Sequence, residues 1–273
     1  MKNISIFCLT LNPEHEKLIE KLSYIPVGLG EKTFSNKCLS DKSELNISNK
    51  NSNYGEYTFH YWLWKNYLNK INTTWVGFCQ YRKFFVKSKI LKNKIDFNNL
   101  DNILIKEINY KNENFDCILG NKFSVENYKI SKIIKHHFFD FILNLKNLFN
   151  KKKRNLKFHF DIFHGKGNLD LAIDLLDENN KKDFRNFMNK ETAFNPHNMF
   201  ICKTEILKKY YEVVFPWLER CENKFGLNDL EGYGLKRIYG FLAERFLSYW
   251  FLKNYKIKEL PIFVQDLSDY KNL

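Results

Sequence analysis

No stretch of this 273-residue chain reaches the roughly 18 consecutive apolar residues that a membrane-spanning helix needs. The opening MKNISIFCLTLNPEHEK has a short apolar run but no small-residue cleavage site, so a cytoplasmic protein without a cleaved leader is expected. Cys8, Cys38, Cys79, Cys117, Cys202 and Cys221 are scattered, with no CxxC or other metal-ligand spacing. Several lie inside apolar runs, which points to buried free thiols rather than disulfides or zinc. Neither GxxxxGK[ST] nor GxGxxG occurs, and Gly28-Leu29-Gly30 is too short to count, which excludes a nucleotide held in a glycine-rich cradle. There is no GxSxG elbow and no cysteine with a credible histidine partner. Internal repeats and a clear linker are also missing, so residues 1–273 read as a single domain.

What is present is a large aromatic core. The chain is 44% hydrophobic with 26 Phe and 15 Tyr, ample for burial. The formal net charge of +13 suggests a polyanionic or membrane-surface partner. It competes with a bias toward Lys, Asn and Ile of the kind that an AT-rich genome produces. The charge is also uneven: KNLFNKKKRNLK at 146–157 is a dense basic block, whereas 170–183 and 219–231 are acidic or mixed.

The pattern of elements predicts an α/β fold. ISIFCLTL reads as a buried first strand, and Asn12-Pro13 starts a helix through Leu22. Residues 24–27 form a second strand, 28–53 a polar loop. In the next helix Tyr57, Tyr61, Trp64 and Leu68 share a stripe, with Thr58, Trp62 and Lys65 along its flank. Trp75 to Cys79 follows as a strand, so strands and helices alternate as in a mainly parallel sheet. Further strands are expected at 115–119, 198–202 and 257–264, the last an edge because of Pro261. Helices are expected at 125–149, 169–176, 204–221 and 234–251, with a mixed helix after 176. The aromatic cluster at 136–141 leads into the basic block, a combination that suits either docking to an anionic membrane surface through 138–154 or a core helix followed by a solvated loop.

Three places can carry chemistry. The strand at 75–79 runs into Gln80, Tyr81, Arg82 and Lys83, a cationic tip where α/β enzymes hold anionic ligands. Where an Asp-x-Asp would bridge a metal to a sugar-nucleotide diphosphate, these residues stand instead, and cationic side chains can neutralise a departing diphosphate as a metal does. In the last helix Leu235, Tyr239, Leu242, Phe246 and Tyr249 make a buried stripe, with Arg237, Gly240 and Glu244 opposite. That face can seat an anion beside a general base, or be a solvated face with an incidental charge pair. His159, Asp161, His164 and Asp170 fit no common zinc motif and read as a metal site, an acceptor-binding loop or a structural loop. The turn Asn195-Pro196-His197-Asn198 can hydrogen-bond hydroxyls or merely turn.

NISNKN at 46–51, EYTFHYWLWKN at 56–66, GFCQYRKFF at 77–85, NMFI at 198–201 and RIYGFLAERFL at 237–247 resemble, in order, the hallmarks of the bacterial domain of unknown function 4422 family, also classed as glycosyltransferase family 111. The resemblance spans roughly residues 2–264. It implies a GT-A-like single domain, with a mainly parallel central sheet flanked by helices; the helical, basic insertion read at about 126–160 departs from the family, its stretch 142–157 being peculiar to this chain. It further implies an inverting transfer of a hexose, galactofuranose first, from a UDP-sugar to a glycan or lipid-linked glycan acceptor in capsule or lipopolysaccharide assembly, at the inner face of the cytoplasmic membrane. Glu244 or Asp170 is then the catalytic base. Asn46, Ser48, Glu56, Lys65, Tyr81, Arg82, Arg237 and Arg245 are donor-binding residues, and His164 and Asn198 acceptor-binding residues. The family usually has His at Gln80 and Arg at Lys83, which bears on donor identity. No cofactor is required on this reading, and a divalent metal is the less favoured option. UDP-galactopyranose or another UDP-sugar is the alternative donor. A non-catalytic glycan-binding module and a nucleic-acid-binding protein are the rival classes, the latter disfavoured because the basic run is local.

Overall fold

The run Ile4–Thr10 (β1) is apolar at nearly every position because both of its faces are covered, the condition that parallel pairing imposes. The computed structural model describes residues 3–91, 94–109, 114–126, 154–228 and 230–270. The expected helix at 125–149 lies almost wholly outside them. The chain divides into two compact units: residues 1–121, 197–212 and 251–273, and residues 122–196 and 213–250.

The first unit contains the sheet. β1 pairs in parallel with Ile25–Gly28 (β2) on one side and Trp75–Gln80 (β4) on the other, and Leu39–Ser40 (β3) extends it beyond β2. Cys117–Gly120 (β6), Phe200–Lys203 (β9) and Ile257–Leu260 (β10) complete the order β10-β6-β9-β4-β1-β2-β3. β9 runs antiparallel to both neighbours, so the sheet is mostly rather than wholly parallel, and helices flank it as expected. The 28–53 loop is not featureless. It contributes β3, and Asn51–Tyr54 is already helical.

The expected strand at 75–79 is followed by a return strand, and the expected strand at 257–264 is split. The 75–85 segment is a strand that turns back: Gln80 pairs with Lys83 across the two-residue turn Tyr81-Arg82, and Lys83–Phe85 (β5) returns antiparallel. Pro261 separates β10 from Ile262–Val264 (β11), which pairs with β5.

Aromatic rings fill one face. Phe7, Phe78 and Phe200 sit side by side on β1, β4 and β9, with centroids 5.7 and 5.0 Å apart, and His60 lies 4.3 Å from Phe78. The helix Tyr57–Trp62 continues as a wider π-helical turn, Leu63–Tyr67. Tyr57 and Leu68 of the expected stripe are buried, but Tyr61 and Trp64 are half-buried, and Phe59, His60, Trp62 and Leu63 are buried instead. Tyr57 and His60 bond across to Tyr210 and Tyr211, at 2.6 Å each, on the long helix Thr204–Phe225. All six cysteines are buried free thiols, and burial pushes Cys38 and Cys221 up to about 12.

The second unit is helical. Asn155 caps Leu156–His164 by accepting from the Phe158 amide at 2.8 Å, and Asp177 caps Glu178–Lys190 in the same way. Asn168–Asp174 lies between them, and Phe123–Ser124 (β7) pairs with Ala193–Phe194 (β8). The last helical stretch is broken at Arg237 into Gly232–Lys236 and Ile238–Asn254. Ile238–Asn254 is buried nearly all round, which corrects the expected solvated face: Arg237 precedes the helix proper, and Gly240 is buried.

His60 is fully buried, and burial lowers its pKa to about 3 from an ordinary 6.5. A base with a depressed folded-state pKa contributes stability that is present above the unfolded value and lost as pH falls. Urea denaturation between pH 7 and 4 is therefore expected to show stability falling by up to about 1.4 kcal/mol per pH unit from this group, a slope that His60→Gln removes.

Candidate functional site

The order β3-β2-β1-β4 means that the chain leaves β1 to one side and returns to its other side, so the carboxyl ends of β1 and β4 flank a topological switch point. Open α/β sheets bind ligands at such points. Register fixes what meets there. Leu9 is level with Gln80, Thr10 with Gly28, and Gly28 with Ser40. Because β9 is antiparallel, the residues entering it, His197 and Asn198, arrive at this same end.

Thr10 Oγ1 bonds to His15 Nδ1 at 2.8 Å, and His15 Nε2 to Ser268 Oγ at 2.9 Å. The Tyr81 ring lies 4.9 Å from the His15 ring, and the Arg82 guanidinium 5.6 Å from the Tyr81 ring. Arg82 is exposed, while its carbonyl accepts from the Gln265 amide at 3.2 Å and that of Tyr81 from Leu267 at 3.1 Å. The turn is thus fixed by backbone and presents its cation outward.

Lys83 Nζ lies 2.9 Å from His197 Nδ1, and Gln80 Nε2 donates to the His197 carbonyl at 3.3 Å. An ammonium can only donate, so Nδ1 accepts and the ring carries its proton on Nε2. Asn198 Nδ2 donates to Glu56 Oε1 at 3.0 Å. His197 and Asn198 both have left-handed backbone, with φ of 82° and 53°. Asn tolerates this region and His does so less readily; such strain persists only where surroundings hold it.

On the β2–β3 side, Asn46 Oδ1 accepts from the Ser48 amide at 3.1 Å and from its hydroxyl at 2.8 Å. Trp62 Nε1 and Asn66 Nδ2 hold the loop through Ser43 and Leu45. Lys65 is exposed, its ammonium 3.4 Å from the Trp64 ring centre. Asp41, which sequence reasoning missed, follows β3 and is fully buried. Neither of its carboxylate oxygens has a hydrogen-bond partner of good geometry among the described residues. The Thr58 hydroxyl favours its charge, yet that hydroxyl donates to the Gly55 carbonyl, and burial wins, raising the Asp41 pKa.

The remaining predicted residues lie in the second unit. Glu244 Oε2 is 2.5 Å from Arg245, a buried guanidinium that also lies 3.3 Å from His159 Nδ1 and 3.6 Å from the Phe194 ring centre. Burial lowers the Arg245 pKa and Glu244 raises it in part; burial and Arg245 together hold His159 well below its usual value. Arg237 sits 5.6 Å from the Tyr233 ring. His164 is buried, with Nδ1 3.0 Å from the Gly234 carbonyl and its ring 4.1 Å from that of Phe241. Asp170 bridges Lys157 at 2.6 Å and Arg185 at 3.1 Å, and Asp161 also takes Lys157. His159, Asp161 and His164 lie on a helix rather than in a loop, each turned to a different partner, and no cluster of three His, Cys, Asp or Glu suited to a metal occurs among the described residues. Of the membrane-docking stretch 138–154 only Arg154 is described. It is buried and donates to the Glu126 carbonyl at 2.9 Å. No helix among the described residues is long and apolar enough to cross a membrane.

A mixed α/β protein with a switch-point constellation of cations, imidazole and carboxylate is the class that this unit defines. The chain belongs to the family described as Domain of unknown function (DUF4422), whose model matches residues 9–255. No curated protein matches it. Among solved structures, one of the WbbM bifunctional glycosyltransferase in its apo form is similar in fold, with a TM-score of 0.66 and 21% identity over 96% of this chain. This chain covers 45% of that one. The mannosyltransferase Ktr4p from S. cerevisiae is similar at a TM-score of only 0.35 and 11% identity, over 95% of this chain and 70% of that one, a likeness that carries no argument.

Asp41→Asn is expected to raise the melting temperature at neutral pH. A carboxyl whose folded pKa is raised contributes stability below its ordinary 3.8 and loses it as pH rises through the raised value, so the advantage of Asn should shrink toward pH 3.5. Thermal melts of both proteins across this range check it.

Proposed function

We propose that this protein is a glycosyltransferase that moves a hexose, galactofuranose first among candidates, from a UDP-sugar to a glycan acceptor in capsule or lipopolysaccharide assembly, with inversion. The observation that carries the reading is the Tyr81-Arg82 turn at the switch point, with Lys83 held on His197 behind it. Family membership and the fold shared with the WbbM bifunctional glycosyltransferase support it. In such a transfer an acceptor oxygen bonds to the anomeric carbon while the bond from that carbon to the diphosphate breaks, and the electron pair leaves with UDP. The new charge needs fixed donors. Arg82 supplies a planar fork matched to phosphate oxygens, and Lys83 a compact ammonium. Asn46 and Ser48, folded onto one another at the β3 end, supply polar groups for the nucleoside part. Glu244 and Asp170 are already bonded to guanidinium or ammonium groups, a setting better suited to orienting hydroxyls than to taking a proton.

Arg82→Ala is expected to weaken UDP binding at least ~10-fold by calorimetry, the loss of one charge-assisted fork. Unchanged affinity would refute the assignment of the turn to the diphosphate. A thermal-shift screen of UDP-sugars should find a stabilising donor in EDTA as well as in manganese; stabilisation in manganese alone would move the diphosphate charge onto a metal.

A further inference from the structure

Resting on glycosyl transfer as the reaction, we propose that His15 is a positioning residue for the leaving diphosphate: held between Thr10 and Ser268, it fixes the Tyr81 ring and, through that ring, aims the Arg82 guanidinium.

The backbone of the Tyr81-Arg82 turn is anchored, but that alone does not aim the cation. The Gln265 and Leu267 amides hold the carbonyls of Arg82 and Tyr81 at 3.2 and 3.1 Å, while the Arg82 side chain beyond them is exposed. A long side chain in water samples several rotamers, and ordering it when a ligand arrives costs affinity. The guanidinium lies 5.6 Å from the centre of the Tyr81 ring, within the reach at which an aromatic face attracts it. Where that ring stands therefore biases where Arg82 points.

The Tyr81 ring is half-buried and faces the ring of His15, with centroids 4.9 Å apart and planes 32° apart. His15 closes the short helical turn Pro13–His15 that follows β1, and it is buried. Both of its ring nitrogens are engaged: Thr10 Oγ1 lies 2.8 Å from Nδ1 and Ser268 Oγ 2.9 Å from Nε2. A neutral imidazole has one donor and one acceptor, and a hydroxyl can serve as either. Both bonds thus survive in either tautomer, and the plane of the ring is set in both. Thr10 Oγ1 is itself held by the Asn12 amide at 3.1 Å.

The two partners of His15 come from opposite ends of the chain. Thr10 is the last residue of β1, and Ser268 belongs to the turn Leu267–Tyr270, next to the residue whose amide holds the Tyr81 carbonyl. The contacts form a closed circuit, from the Tyr81 carbonyl to Leu267, from Ser268 to His15, and from the His15 ring back to the Tyr81 ring. A backbone bond alone leaves the side-chain torsions of Tyr81 open, and the circuit closes them.

The Leu267–Tyr270 turn has anchors of its own. Leu267 and Tyr270 are buried, Tyr270 Oη donates to the Ile95 carbonyl at 2.6 Å, and Gln265 Nε2 donates to Asp269 Oδ2 at 2.9 Å. Loss of the His15 bonds is therefore expected to release the Tyr81 ring without releasing the segment that clamps the turn.

The test uses the full chain, with UDP as the probe in calorimetry and thermal melts to confirm folding. His15→Phe keeps a ring against Tyr81 and removes both hydrogen bonds, whereas Ser268→Ala removes one. His15→Phe should weaken UDP binding at least ~fivefold, and Ser268→Ala should weaken it less. Each effect should shrink to within about 1.5-fold in an Arg82→Ala background, because both act through that guanidinium. A histidine that merely supports the fold would cost the same with or without one exposed side chain. Equal losses in the two backgrounds, or unchanged affinity in folded His15→Phe, overturn the positioning role. If His15→Phe does not fold, the Ser268→Ala comparison decides by the same criterion. A parent that binds no UDP, or an Arg82→Ala protein that binds it as tightly as the parent, overturns the assignment of the turn to the diphosphate and the role of His15 with it. A parent that binds UDP through Arg82 while His15 and Arg82 act independently overturns the role of His15 alone.

Discussion

The pairing of β1 with β4 is the constraint on which the first unit depends. Six residue pairs in register, from Ile4 with Trp75 to Leu9 with Gln80, set these two strands level. That alignment places Phe7 beside Phe78, which starts the aromatic row beneath the flanking helices, and places Thr10 and Gln80 at a common end. A slip of one residue would turn Phe78 and Cys79 to opposite faces and carry the Tyr81-Arg82 turn with them. Core packing and the position of the cationic turn are therefore settled by the same hydrogen-bond ladder.

Much of this was legible in the sequence, for reasons that differ by element. Ile4–Thr10 and Trp75–Gln80 are continuous apolar runs that only a doubly covered strand explains, and the switch from apolar to cationic residues at Gln80 marks where the strand ends. The antiparallel sense of β9 was not legible, because FICK has the same composition in either direction. Nor was β3, whose two residues bury little and gain their identity from Val27 and Gly28 alongside. The expected stripe on the 57–67 helix holds at Tyr57 and Leu68 but fails at Tyr61 and Trp64, since a helical repeat of 3.6 does not describe the π turn Leu63–Tyr67, where five residues shift the phase.

The candidate site shows the same division. Arg82 could be picked out because an exposed cation at a strand end has few structural uses. Asp41 could not, standing in SDKSELN among many polar neighbours with nothing local to distinguish it; its meaning lies in burial, which is a property of the fold. The sequence reading assigns Glu244 to proton removal and Arg245 to donor binding, yet they are adjacent in the chain and bonded to each other. A helix pattern treats neighbours as pointing apart by about 100°, and long side chains can close that gap. His197 and Asn198 were recognised as a turn, but their left-handed backbone and their links to Lys83 and Glu56 arise from contacts distant in sequence.

The anchoring of the Tyr81-Arg82 turn has a consequence for biogenesis. Its carbonyls are held by the amides of Gln265 and Leu267, and β5 behind it is completed by β11, all from the end of the sheet-forming sequence. On the ribosome, β1, β2 and β4 emerge together and can pair, whereas the clamp on the turn is supplied by segments that follow much later in the chain. The nascent chain thus carries paired strands well before its cationic turn is clamped.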